Sequence, residues 1–239
     1  MTQRVIKTRN ARTIRVTVLD DCCTPPVTGT ECALSVFDTF TTFSASVNVE
    51  EGLSAFERKA NGDLCINESD PDSLTNLTLS LTLCNVRPED ISMLTAWPVT
   101  RDTNDVAVGF DIMEGTTDRQ VAVELWSSVA GADCASGQQH GYAVAPCTDA
   151  WQLDGEIVWA GLDTIQSITL TATTNGNHAW GKGPYKVQDF AYDGTAEQLH
   201  DAMQTGAHMR IMSTTVPPPS LTDGCVDATE ANGFFPPIA

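Results

Sequence analysis

Leu77, Leu79, Leu81 and Leu83 alternate with Thr78, Ser80 and Thr82. Strict alternation predicts a half-buried strand, because successive side chains of a strand point to opposite faces. The polar face of this segment carries no charge, although exposed edges are normally defended by Lys, Pro or bulges. Further strand patterns fall at Thr13–Leu19, Val106–Ile112, Val121–Trp126, Ser167–Thr174 and His208–Thr215. Thr42–Val49 places Phe43, Ala45, Val47 and Val49 on one face. Ala55–Ile66 predicts a hairpin turning at Asn61-Gly62, residues that tolerate the positive φ of a tight turn.

Two helices are predicted. Pro88–Thr95 has Pro at its first position, Glu89 and Asp90 near the positive N-terminal end, and Ile91 and Leu94 as an apolar stripe. Ala196–Thr205 is framed by a Thr195/Gln198 capping box and a stop at Gly206, with Leu199, Ala202 and Met203 as its buried face. Residues 216–239 are Pro-rich and carry Phe234-Phe235, which reads as an extended arm with an aromatic anchor. The 239 residues therefore predict one mainly β domain spanning 1–239, a β-sandwich or barrel with one or two short flanking helices, a basic N-terminal arm at 1–12 and this C-terminal arm.

Charge sharpens the picture. The first 15 residues hold Arg4, Lys7, Arg9, Arg12 and Arg15 and no acid. The remaining 224 hold 8 basic and 31 acidic side chains, a formal −23 within a chain of net −18. Such a body repels nucleic acid, while the basic arm has two available partners, nucleic acid and an acidic copy of the same chain. No apolar run reaches the length of a membrane span, and the N-terminus lacks the apolar segment of a secretory signal, so synthesis in cytoplasm is expected.

Candidate chemistry is thin. Gly176–Gly183 nearly spells a phosphate loop, but Gly183 replaces the needed Ser or Thr, and Pro184-Tyr185 follows instead of a helix. Glu197-x-x-His200 has di-metal spacing but no second copy, and Glu68, Asp70 and Asp72 lack calcium-loop spacing. There is no GxSxG elbow, and the two glycosylation sequons at Asn67 and Asn76 mean little without a secretory signal. Thirty-one acids leave paired-carboxylate hydrolysis open without favouring it. The expectation is no enzyme, with no catalytic residue, metal or cofactor. The eight cysteines have no zinc spacing. Cytoplasmic synthesis favours buried free thiols; a Cys134–Cys147 disulfide closing the Gly-rich loop between them is the alternative.

The chain resembles the major tail, or tail tube, protein of long-tailed (siphovirus-type) bacteriophages, particularly those of actinobacterial hosts. The resemblance runs through Glu50-Glu51-Gly52, Arg58–Asp63, Leu81–Glu89, Leu94-Thr95, Trp180–Tyr185 and Thr214–Pro218 in that order. It departs at Ala96, where the pattern has Gly. The resemblance implies a virion protein whose subunits form hexameric rings, stacked into a hollow tube with a continuous β-barrel as its inner wall. Double-stranded DNA passes through in transit. The implied partners are further copies of itself and other tail proteins: tape measure, tail terminator and distal tail protein. An acidic wall suits such a channel. The expected subunit contacts are Arg4, Lys7, Arg9, Arg12 and Arg15, then Arg58, Lys59, Asn61, Gly62 and Asp63, and finally Phe234 and Phe235. The competing reading is a monomeric β-sandwich binding module, for example for carbohydrate, using Trp151, Trp159 and Trp180 on one exposed face.

Overall fold

The structure, a computed structural model, describes residues 8–114, 118–129, 140–158, 167–189 and 195–235. It is mainly β and built in layers. One sheet has five antiparallel strands: β1 (Thr8–Leu19), β2 (Leu34–Phe37), β9 (Gln120–Val129), β10 (His140–Thr148) and β13 (Arg210–Thr214), in the order β13-β10-β9-β1-β2. The second has four: β3 (Phe40–Glu50), β6 (Ser73–Cys84), β11 (Gln152–Leu153) and β12 (Ser167–Thr173), in the order β11-β12-β6-β3. Two ribbons, β4 (Ser54–Arg58) with β5 (Leu64–Ser69) and β7 (Val99–Arg101) with β8 (Ala107–Phe110), complete the strands among the described residues.

The sheets pack face to face as a sandwich. Ile14 and Val16 of β1 and Val121 and Val123 of β9 meet Leu79, Leu81 and Leu83 of β6 and Ile168 and Leu170 of β12. The Leu face foreseen from the sequence is thus the core face. Helix α1 (Pro88–Thr95) closes one end with Ile91 and Leu94, over the predicted residues. Its C-cap, Ala96, is left-handed at φ 61°, a conformation that favours Gly.

The five-stranded sheet is buried on its other face as well. Ala122, Trp126, Tyr142 and Val144 pack under Trp180, Tyr185, Val187, Leu199, Met203 and Phe234. This third layer is irregular chain, and the predicted helix over Ala196–Thr205 does not form. Its backbone bonds outward instead: Leu199 N–H donates to Lys182 O, Met203 N–H to Gly181 O, and Glu197 exchanges bonds with Gln188. Gln198, expected to cap the helix, donates its amide to Gly183 O at 2.6 Å. Leu199 and Met203 are buried as expected, Ala202 is exposed, and long-range pairing overrides local helix propensity.

The cysteines also differ from expectation. Cys147 is bonded to Cys23, so the Cys134–Cys147 pair is replaced; Cys134 itself lies outside the described residues. A second disulfide joins Cys32 to Cys225, while Cys22, Cys65 and Cys84 are free thiols. The pairing of β10 with β9 and of β9 with β1 brings Cys147, on β10, beside Cys23, just past β1, from 124 positions away, a proximity that sequence spacing does not encode.

Candidate assembly surface

β3, β4, β5 and β6 form one long kinked hairpin. Phe40 faces Leu83 near its base, and Glu50 faces Ser73 before the chain crosses over. At the crossing, Asp70 N–H donates to Leu53 O and Gly52 N–H to Asp72 Oδ1 (3.0 Å). A Cβ on Gly52 would lie 1.9 Å from the Asp70 carbonyl oxygen, so this position requires glycine. The hairpin continues through β4 and β5 to the predicted turn. There Gly62 has φ +89° and Asp63 N–H donates to Asn61 Oδ1, while Arg58 Nη1 donates to Gly62 O.

The arm leaves the body as it extends. Leu79, Leu81 and Leu83 are buried, whereas nearly all of β3 and the whole of β4 and β5 are exposed. Half of the molecule's 14 exposed large hydrophobics among the described residues lie here: Val47, Val49, Leu53, Phe56, Leu64, Ile66 and Leu74. Concentration of exposed apolar side chains on one projection marks a contact surface.

Two further features belong to the same sheet. β3 is its edge, 11 residues long, with no Lys, no Pro and no charge before Glu50. Register shifts fall near its two ends, between Phe40 and Thr42 and between Asn48 and Val49, and the stretch from Thr42 to Asn48 between them presents main-chain donors and acceptors ready to pair with another strand. The outer face of the sheet is a field of hydroxyls and amides. Thr42, Thr82 and Thr169 align across three strands, as do Ser44, Ser80 and Thr171 with Gln152, and Ser46 with Thr78 and Thr173. Asn48 donates to Asn76 Oδ1 (2.6 Å) and Thr78 Oγ1 (2.8 Å), and the Thr82 and Thr169 hydroxyls share a bond of 3.1 Å. Hence the uncharged Thr/Ser face of β6 lies in the outer wall of the sheet, with the Asp149 carboxylate at its margin accepting from the Thr173 hydroxyl at 2.7 Å.

The sequence-predicted contact residues divide. Arg58, Lys59, Asn61, Gly62 and Asp63 are exposed at the tip of the arm. Arg12 is exposed, but residues 8–12 belong to β1 and pair with β9, so this part of the predicted arm is sheet. Arg4 and Lys7 lie outside the described residues, as does the side chain of Arg9. Arg15 is a correction: it is 4% exposed inside the domain, bonded to Glu124. Phe234 is a correction too, being fully buried edge-on against Tyr185 of its own chain. Phe235 is half-buried beneath Lys186, whose Nζ is 4.0 Å from the ring centroid. The C-terminal segment is therefore anchored on its own body over the described residues.

The residues weighed for other chemistry are occupied structurally. Trp151 and Trp180 are buried in the two core clusters, and Trp159 lies outside the described residues. Glu197 and His200 sit on irregular chain, without the helical face that a Glu-x-x-His pair needs to converge on a metal. The β3 edge was missed by motif reading; its signal was the absence of charge from Thr39 to Val49.

No protein-family model matches this chain, and a search of curated proteins finds no match.

Proposed function

We propose that the chain is a structural protein that self-assembles through the four-stranded sheet and its projecting arm, as a subunit of a phage tail tube. The observation that carries this reading is the long, uncharged β3 edge running out into an apolar arm. A copy whose edge strand is completed by its neighbour, which offers its own edge in turn, propagates head to tail. Such a contact closes into a ring when the rotation allows. Ring closure also removes the unprotected edge.

In this arrangement the hydroxyl face lines the channel. A neutral wall of Thr, Ser, Asn and Gln offers DNA phosphates no cation to hold them, which serves transit as an acidic wall would. The arm, with Arg58 and Lys59 at its tip and Phe56, Leu64 and Ile66 behind, reaches the next ring. Hexameric rings, virion location and contact with tape measure, terminator and distal tail proteins follow from the resemblance. The proposal assigns no catalytic residue, metal or cofactor. The binding-module alternative loses support from the burial of Trp151 and Trp180.

Negative-stain electron microscopy of the concentrated protein tests the reading. Six-fold rings or hollow tubes are expected. A strictly monomeric protein, also when supplied with a tail-initiation complex, rejects it.

A further inference from the structure

The two disulfides differ sharply in access. Cys23 and Cys147 are 4% and 0% exposed, inside the core beneath the third layer. Cys32 is exposed and Cys225 half-buried. Reduction proceeds by attack of a thiolate on a disulfide sulfur, so access governs which bond opens first.

The exposed bond sits on a strap. Past the last strand, residues 222–228 lie along the free edge of β2. Val226 and Leu34 pair as an isolated bridge, Ala33 N–H also donates to Val226 O, and Thr222 N–H donates to Val36 O. Ala228 exchanges main-chain bonds with Gly29 and Thr30. The strap thus covers the edge of the five-stranded sheet, and Cys32–Cys225 ties it down across 193 positions of sequence. Beside the cysteines Cys32 N–H donates to Asp227 Oδ1 at 3.1 Å and Cys225 N–H to Glu89 Oε2 at 3.2 Å; at Thr222 the strap is held by Val36 N–H to Thr222 Oγ1 at 2.9 Å and by Arg87 Nη1 to Thr222 O.

We propose that Cys32–Cys225 is a redox latch on the C-terminal strap, opened by a small thiol reductant of the glutathione class while Cys23–Cys147 stays closed. Two reductant thiols give up two electrons and two protons to the bond. Cys32 and Cys225 become thiols, and the reductant leaves as its own disulfide. Without the cross-link the strap exchanges on and off the β2 edge, exposing the main-chain groups of Leu34 and Val36. Reducing surroundings leave this edge open, and oxidising ones cover it. The inference is independent of the assembly reading.

The oxidised protein is incubated with increasing glutathione, alkylated and mapped by mass spectrometry, with hydrogen exchange followed in parallel. The exposed free thiols Cys22 and Cys65 take the label first and serve as reference. Cys32 and Cys225 are expected to react next, well before Cys23 and Cys147. The Val226 and Ala228 amides are then expected to lose protection roughly tenfold. A Cys32→Ser/Cys225→Ser double variant reproduces that exchange without reductant. The proposal is overturned if Cys32 and Cys225 are labelled before any reductant is added, if all four cysteines react together, or if strap exchange is unchanged by reduction.

Discussion

Arg15 and Glu124 face each other across β1 and β9 and form a two-pronged ion pair inside the domain, Nε to Oε2 at 2.6 Å and Nη2 to Oε1 at 2.7 Å. The Tyr142 hydroxyl donates to the same carboxylate at 2.5 Å, and the guanidinium carbon lies 3.3 Å from the Tyr185 ring centroid. Burial is the largest influence and opposes the Arg15 charge, but the charge and hydrogen bonds of Glu124, with Tyr185 and Tyr142, together hold the guanidinium pKa above its ordinary value. Burial is also the main cause pushing the Tyr142 and Tyr185 hydroxyls up. Breaking one side of such a pair leaves an uncompensated charge in the core. Glu124→Gln is therefore expected to cost about 3–5 kcal/mol in urea unfolding. Arg15→Met with Glu124→Leu is expected to cost far less than either single change, and a double variant as damaged as the singles contradicts this account.

Ala96 ends α1 in the left-handed region, where a Cβ is unfavourable. Ala96→Gly relieves that strain while keeping the N–H bond to Ser92 O at 2.8 Å. A gain of about 1 kcal/mol is expected, visible as a rise of a few degrees in thermal melting. A neutral or destabilising effect would mean that helix-end strain is absorbed elsewhere.

These two sites mark how far the sequence could be read. α1, the Asn61-Gly62 turn and the inward Leu face of β6 were legible, because each rests on local periodicity or turn chemistry. Arg15 was not: alternation in TIRVTVL puts Thr13, Arg15 and Thr17 on one side, which reads as a solvent face. That face is buried because Trp180, Tyr185, Leu199, Met203 and Phe234 form a third layer over it, and nothing local announces a layer supplied from so far along the chain. The same long-range cover removed the helix expected at Ala196–Thr205. The arm was legible in pieces, as two strands and a hairpin, but the crossing at Gly52 that joins them was not.

His140 begins β10 and is buried, and burial first, then the nearby Arg12 charge, pulls its pKa below 6.5. On acidification the unfolded chain takes up this proton before the folded one does. Stability from the neutral imidazole is thus complete above pH 6.5, falls as the pH drops below it, and levels off once the folded state is also protonated. His140→Asn is expected to remove this component from the pH dependence of urea midpoints. Arg12→Gln moves the His140 pKa only part of the way back, since burial is the larger cause; full restoration by Arg12→Gln would reverse that ranking.

Deleting residues 1–12 would strip Thr8–Arg12 from their pairing with β9. Deleting 1–7 removes Arg4 and Lys7 and leaves the β1 pairing in place. Under the assembly proposal this truncation slows or weakens tube formation at unchanged melting temperature. Tubes of normal yield would remove the arm from the contact.

The edge itself is tested by charge. Val47 and Val49 of β3 are 62% and 55% exposed, so Val47→Lys/Val49→Lys disturbs little of the domain's own packing. Lysine on an edge strand is a standard defence against pairing with another copy. The change also makes the net charge of −18 less negative, which by itself weakens repulsion between copies. Loss of assembly therefore cannot be ascribed to a more repulsive molecule. Sedimentation velocity is expected to find the variant monomeric under conditions where the unaltered chain forms rings or tubes, with urea midpoints of the two alike. A Val47→Thr/Val49→Thr control, which keeps the strand uncharged, should still assemble. Rings from the lysine variant at normal yield would place the contact elsewhere, with the apolar arm residues Phe56, Leu64 and Ile66 as the next positions to charge.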